Sequence, residues 1–506
     1  MANLFHRLNS IFRRKPPVSG FNTRMFQAAA HNRLIDWPLS YQRVNGDLFM
    51  EYQTIVLRCR SLAMNNESVL GILRNLQRNV VGIHGFTLQS KAKDAALRPE
   101  IEKLWREYGS RAAHAVTMDE RSSARDLDIL ILRSLMIDGE CFIHRIYDPA
   151  SKFGWRYEVI DSLQIDPFYM VNKIAGGGRI FMGIEFDSKG REVAYWYRPT
   201  VCEQYNTGVS ERIPATNIIH LFRKEFPAQM RGIPPLAGAV IDLKRLDDYR
   251  DAELVHAQIA SCTMGVWEWD GRNQEDVITD RQADDQGQFV REIKPGIFPI
   301  APRGYTAKFL QNSAPNSQFP SFVKSVLRAI CNSVGISYNK GAGDYESVNY
   351  SSLREASLED RETYGELQKF IVDNWKSLQF YDFISAAVMN GLVRSNSISA
   401  VSPHQFFGRK FSWVDPQKEI AAKKEEIALM LTDPFSEIES RGEDPAELLD
   451  RFVAWREMLK ARGLEVFWES AFAKMPGTLS EENEPEPNDT TTSITSASDS
   501  EADNRS

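Results

Sequence analysis

With 506 residues, 42% of them hydrophobic and 25% charged, the chain is long enough for about three domains and matches neither a disordered, a collagenous nor a coiled-coil composition. Its five cysteines (59, 141, 202, 262 and 331) form no CxxC pair, so a reducing compartment is expected and a structural zinc is not. The net charge of −7 is misleading, because residues 478–506 alone carry eight acids against Arg505 and so account for all of it. Residues 1–477 sum to zero, and a neutral body argues against tight non-specific duplex binding, which draws on Lys and Arg neutralising phosphates.

In chain order, residues 1–35 hold six bases and no acid. Leu4, Phe5, Leu8, Ile11 and Phe12 share one face of a helix that Pro16 and Pro17 would stop, and a flexible leader fits equally well. The segment lacks a continuous apolar stretch, so it is not read as a secretory signal, and the run Ile129 to Ile137 is too short to cross a bilayer. Helical spacing dominates 47–82 and predicts another helix over 119–137, followed by an Asp138-Gly139 turn and an alternating strand over 141–147. Strands are expected at 156–160, 181–186, 193–197 and 217–222.

Pro235 is placed to open a proline-free helix of about 40 Å running to Ser261. Residues 263–316 read as a small α/β insertion in which Trp267 and Trp269 share one strand face. Helical spacing returns at 319–334 and ends at Gly335. A loop over 336–352 and a long helix over 353–390 complete this half, with two further helices expected at 417–431 and 445–462. The acidic, Ser/Thr-rich end, 478–506, is expected to be disordered, since it has almost nothing to bury.

No GxxxxGK[ST], GxSxG or HExxH motif occurs. His84 and His144 lie among apolar neighbours and read as structural. Asp126 and Asp128, two apart on a helix, point different ways and read as solvated surface rather than as a metal pair.

Three segments in fixed order carry a resemblance: Ile218-Ile-His-Leu-Phe222 with Gln229-Met-Arg-Gly-Ile-Pro-Pro-Leu236, the helix around Leu246-Asp-Asp-Tyr-Arg-Asp-Ala-Glu-Leu254, and Gly335-Ile-Ser-Tyr-Asn through Val348-Asn-Tyr-Ser-Ser-Leu-Arg354. Leu73-Arg-Asn-Leu-Gln-Arg-Asn-Val-Val-Gly82 adds weaker support. Together, over about 50–420, these resemble the portal proteins of lambda-like tailed phages.

The resemblance implies an α+β portal fold with a β-rich wing, long stem helices, a small α/β clip and a helical crown. Its expected parts are a basic arm (1–46), wing (47–233), first stem helix (234–262), clip (263–318), second stem helix (319–335), tunnel loop (336–352), long wing helix (353–391), crown (392–477) and acidic tail (478–506). It further implies no catalysis and no cofactor. The implied partners are further copies, usually to a dodecamer, the terminase large subunit, major capsid and scaffold proteins, head–tail adaptors and double-stranded DNA without sequence preference, at a capsid vertex of the virion.

Site residues follow on the same terms. Lys340, Asp344, Tyr345 and Asn349 would stand on the tunnel loop, with Lys340 reaching phosphate. Lys244, Arg245, Lys324 and Arg328 on the stem would line the channel or pair with acids of neighbouring subunits, the second being preferred. Trp267 and Trp269 would anchor a clip interface or bury within the clip. A metal-dependent nucleic-acid enzyme and a non-portal capsid or tail adaptor are the competing expectations.

Overall fold

The fold is described from a computed structural model covering residues 43–174, 176–199, 210–261, 265–269, 305–309, 318–346, 348–411, 416–440 and 445–463. The basic arm up to residue 42, most of the expected clip and the acidic tail lie outside the described residues. The chain forms two compact units, Met1–Val414 and Asp415–Ser506.

In the first unit, helix α1 (Val44–Asn65) and helix α2 (Glu67–Leu76) divide the helical region expected over 47–82. The break is a capping event: Asn66 is extended, and its side chain accepts from the Val69 amide. A π-helical turn, Gln77–Val81, leads to β1 (Thr87–Ser90), and α3 (Arg98–Gly109) follows. Helix α4 (Ala124–Ile137) starts five residues later than spacing suggests, because Ser123 and Asp126 close a capping box there.

Strand β2 (Glu140–Tyr147) is the centre of a three-stranded antiparallel sheet, flanked by β3 (Trp155–Ile160) and β8 (Ile218–Phe222). Between them in sequence, β4 (Arg179–Phe181), β5 (Ile184–Phe186), β6 (Glu192–Tyr197) and β7 (Glu211–Pro214) form a second antiparallel sheet in sequential order. The single strand expected at 181–186 is thus a hairpin, turning at Met182 and Gly183, both with positive φ.

The expected long helix from Pro235 opens with a 3-10 turn, Pro235–Ala239, and continues as α5 (Val240–Ser261), 22 residues or about 33 Å. Strands β9 (Gly265–Trp269) and β10 (Tyr305–Phe309) pair antiparallel. Helix α6 (Phe319–Val334) matches its expected limits and ends on left-handed Gly335. The span read as a loop over 336–352 contains a short helix, α7 (Tyr338–Ala342), and α8 (Tyr350–Ile371) already begins within it. A second π-helical turn, Val372–Lys376, joins α8 to α9 (Ser377–Met389). A short α10 (Ile398–Val401) precedes β11 (His404–Phe407), which pairs with β1 across more than 300 residues of chain.

The main core gathers α2, α3, α4 and α9, with Trp105 packed edge-on against Phe380 and Phe383. Inside it, the turn at 372–376 carries Trp375 and Lys376 inward, both buried, to meet Asp128. Lys376 Nζ lies 3.2 Å from Asp128 Oδ2 and 2.7 Å from Gln379 Oε1, and Trp375 Nε1 donates to Asp128 Oδ1 at 2.8 Å. Asp128 is therefore an interior residue, contrary to the solvated position expected from sequence. His84 is exposed rather than structural, and His144 is half-buried beside Glu158.

In the second unit, α11 (Pro416–Ala428), α12 (Pro434–Ser440) and α13 (Pro445–Ala461) each begin at a proline, which has no amide to waste at a first helical position. Lys423 ties α11 to α12 through Glu437 at 2.9 Å.

Candidate functional site

The stretch from α5 to α8 holds most of the charged residues singled out by sequence. Helices α5 and α6 run antiparallel: Tyr249 meets Phe319 and Phe322 at the start of α6, and the end of α6 approaches the 3-10 turn before α5. Apolar Ile241, Leu254, Val255 and Phe322 remain about half exposed on this pair.

The cations of α5 and α6 find partners inside the chain. Lys244 bridges Asp248 at 2.5 Å one turn along, Arg245 lies 3.8 Å from Asp242, and Arg250 holds Glu67 of α2. Arg328 stacks over the Tyr338 ring at 5.3 Å. Lys324 crosses from α6 to the turn after α7, reaching Asp344 at 3.1 Å and Glu346 at 3.4 Å. Lys244 and Arg245 thus meet acids four and three residues away on their own helix, whereas Arg250, Lys324 and Arg328 reach other segments of the chain.

Residues 336–342 are tied to α8 and α2. Asp360 accepts from the Ser337 amide and hydroxyl, both at 2.7 Å, and its Oδ2 is 3.2 Å from Lys340 Nζ. Lys340 also sits over the Tyr364 ring at 5.8 Å, and its backbone carbonyl accepts from Asn75 Nδ2, while Asn75 Oδ1 accepts from the Tyr364 hydroxyl at 2.6 Å. A Cβ on Gly341 would collide with Cys331 Sγ, so this close approach to α6 requires glycine. Lys340, the residue expected to reach DNA phosphate, pairs with a buried carboxylate.

The following turn is the exposed part. Asp344 accepts from the Tyr338 hydroxyl at 2.8 Å, and that bond, the Glu346 amide and Lys324 together lower its carboxyl to about 2. The same two acids raise the Lys324 ammonium above its ordinary value. Tyr345 is 56% exposed beside them. Asn349 is a helix cap, accepting from the Ser352 amide at 2.9 Å to start α8. Trp267 and Trp269 alternate on β9, opposite Ala307 and Tyr305 of β10.

Sequence reasoning missed a buried knot beside the three-stranded sheet. Glu140 and Arg231, both fully buried, pair at 2.6 Å; Tyr52 donates to Glu140 Oε1, His220 lies 2.9 Å from Oε2, and the Gly232 amide donates to Oε2 at 2.9 Å. Burial opposes the charged carboxylate, but Arg231 and His220 outweigh it and hold Glu140 at about 2. The remaining guanidinium donors reach the carbonyls of Ser162, Ile165 and Met182. A Cβ on Gly232 would strike the Gly139 carbonyl, so the two backbones touch only because both residues are glycine. The signal was present in the Gln229–Leu236 motif, which fixes the knot rather than a ligand.

Among the described residues no group of three or more His, Cys, Asp or Glu could hold a metal ion, and no helix is long and apolar enough to cross a membrane.

The chain is 28% identical over 447 residues to a probable portal protein of Halomonas phage phiHAP-1, with 85% of each chain covered. It is 20% identical over 484 residues to portal protein B of Escherichia phage lambda, covering 86% of this chain and 89% of that one. Among solved structures, a chain from the neck of an empty gene transfer agent particle (GTA) computed with C6 symmetry aligns with a TM-score of 0.43 at 13% identity, over 81% of this chain and 96% of that one. The family model for phage portal proteins of the lambda family matches residues 31–368, a span that includes the three- and four-stranded sheets, α5, α6 and the turn after α7. The chain therefore belongs to the lambda family of phage portal proteins, structural components of the virion rather than enzymes.

Proposed function

We propose that this chain assembles as a ring, of twelve copies on the commonest portal pattern, at one capsid vertex, where a separate terminase drives DNA inward and the same channel later releases it. The observation that carries the reading is the family match across residues 31–368, which spans an antiparallel helix pair joined through a two-stranded excursion and followed by a charged turn. On this reading α5 and α6 are the stem, β9 and β10 belong to the clip that docks terminase and later the head–tail adaptors, and residues 343–349 are the part of the tunnel loop nearest DNA. Capsid and scaffold proteins would surround the wing.

A channel must hold DNA without trapping it, and a ring multiplies each subunit's charge by the copy number. With Lys340 neutralised by Asp360, the exposed turn presents Lys324 against Asp344 and Glu346, a balance slightly negative per copy that favours sliding over gripping. Electron microscopy and native mass spectrometry of the purified protein test the reading. A closed ring with a DNA-wide channel is expected, and a species that stays monomeric even with capsid and scaffold partners would overturn it.

A further inference from the structure

A basic patch stands on α2 and the π-helical turn that follows it. Arg74 and Arg78, one turn apart, are exposed on the side away from the buried Leu73, Leu76 and Val80. Arg409, also exposed, is held beside them as its guanidinium donates to the Arg78 carbonyl and Asn79 Oδ1. Among the described residues neither Arg74 nor Arg78 meets a carboxylate. Glu67, on the same helix, is taken by Arg250, and Asp126 lies against Arg125. Ile83, 82% exposed, occupies the turn that follows.

Helix α8 carries the complement. Glu355, Glu359 and Glu362 are exposed at spacings of four and three, so they share one face, and among the described residues none of them meets a cation. Like charges so spaced repel one another, and a cation brought from outside relieves them. The cations of α8 are placed elsewhere: Lys369 pairs with Asp373, Arg361 lies over the Phe411 ring, and Arg354 is about a quarter turn round the helix from the glutamates. Arg223 of β8's end reaches Glu366, one turn beyond the row. Leu358, 40% exposed, flanks it.

Within one chain the two patches face apart. Tyr364 and Gln368 tie α8 to α2 and its π-helical turn through Asn75, Asn79 and Val80. The three glutamates lie about half a turn round the helix from Tyr364 and so point away from α2. A second copy can present its glutamate face to the arginines, and the register fits, since Arg74 to Arg78 and Glu355 to Glu359 each span about 6 Å.

We infer that the patch of Arg74, Arg78 and Arg409 on one copy docks the face of Glu355, Glu359 and Glu362 on the next. The contact joins two different surfaces, so it repeats head to tail and closes where the rotation between copies fits a ring. The pairing rests on the ring proposed above and adds the surfaces through which neighbours meet.

Arg78→Lys keeps the charge and supplies an amine that a carbodiimide joins to a touching carboxylate. Ordinary and 15N-labelled full-length Arg78→Lys chains are mixed before assembly. The expected adduct joins position 78 to the peptide bearing Glu355, Glu359 and Glu362, with the two isotopes mixed. Charge reversal gives a second measurement, read by native mass spectrometry. Arg74→Glu with Arg78→Glu, or Glu355→Arg with Glu359→Arg, lowers the assembled fraction about tenfold, and the two pairs combined in one chain restore it. Rings in which position 78 is joined only within its own chain, only to other peptides or to nothing overturn the pairing while leaving the ring itself standing. A combined variant that assembles no better than either pair does the same. Chains that stay monomeric even with capsid and scaffold partners overturn both.

Discussion

Arg231 and Glu140 form a salt bridge of 2.6 Å with neither side chain reaching solvent, and the pair joins α1, β2, β8 and the segment leading to α5 through one carboxylate. Removing the guanidinium strands a buried charge. Arg231→Met is expected to destabilise the chain by about 3–5 kcal/mol in urea denaturation. Arg231→Lys should recover little of that, because one ammonium cannot replace a fork that also serves three backbone carbonyls. A Met variant within 1 kcal/mol of wild type would show that the knot is dispensable.

The same pair predicts acid sensitivity of a definite sign. Glu140 is held near 2 in the fold against about 4.3 for an unstructured glutamate, so the unfolded chain binds the proton more readily. Its contribution is complete above about pH 4.3 and is lost as the pH falls towards 2. Thermal melting followed across that window should show a steeper decline for wild type than for Glu140→Gln, which starts lower but has no such carboxyl to protonate. Parallel curves for the two proteins would remove Glu140 as the source.

How legible this was in the sequence depended on the range of the interaction. The limits of α6, the strand β2 and the helices opened by Pro416 and Pro445 follow from local signals: apolar period, proline and a left-handed glycine. The Asn66 break and the hairpin at Met182 were local too, but each depends on one residue interrupting a pattern that otherwise continues. Asp128 was hidden for a different reason. Its partner, Lys376, lies 248 residues away, and an acid on a helix looks solvated until the opposing surface is known. The family resemblance was readable because its motifs pack the fold: Arg231 and Gly232 in one, Asn75 and Asn79 in another, and Asn349, which caps α8, in a third.

The interior pair Lys376 and Asp128 offers a double-mutant test. Burial lowers the lysine and raises the aspartate, each partly offset by the other's charge. Either Lys376→Met or Asp128→Asn alone leaves an unmatched buried group and should cost about 3–5 kcal/mol. The double variant should cost clearly less than the two singles combined, since no charge then remains to be stranded. Additive losses would mean that the two residues stabilise the core independently.

The two lysines near the expected tunnel loop should separate in their effects. Lys340→Ala deprives buried Asp360 of its cation while the Ser337 bonds persist, so a stability loss of about 1–3 kcal/mol is expected. Lys324→Ala removes partly exposed contacts and should change melting less than Lys340→Ala does, but it frees Asp344 and Glu346 and makes every copy of the turn more negative. If that turn faces the channel, repulsion of phosphate repeated around the ring should lower DNA packaging or retention while ring assembly persists, most strongly at low salt, where screening is weakest. Packaging, retention and ring formation measured side by side for both variants decide the matter. Wild-type packaging and retention by Lys324→Ala rings at low salt would place the turn away from DNA.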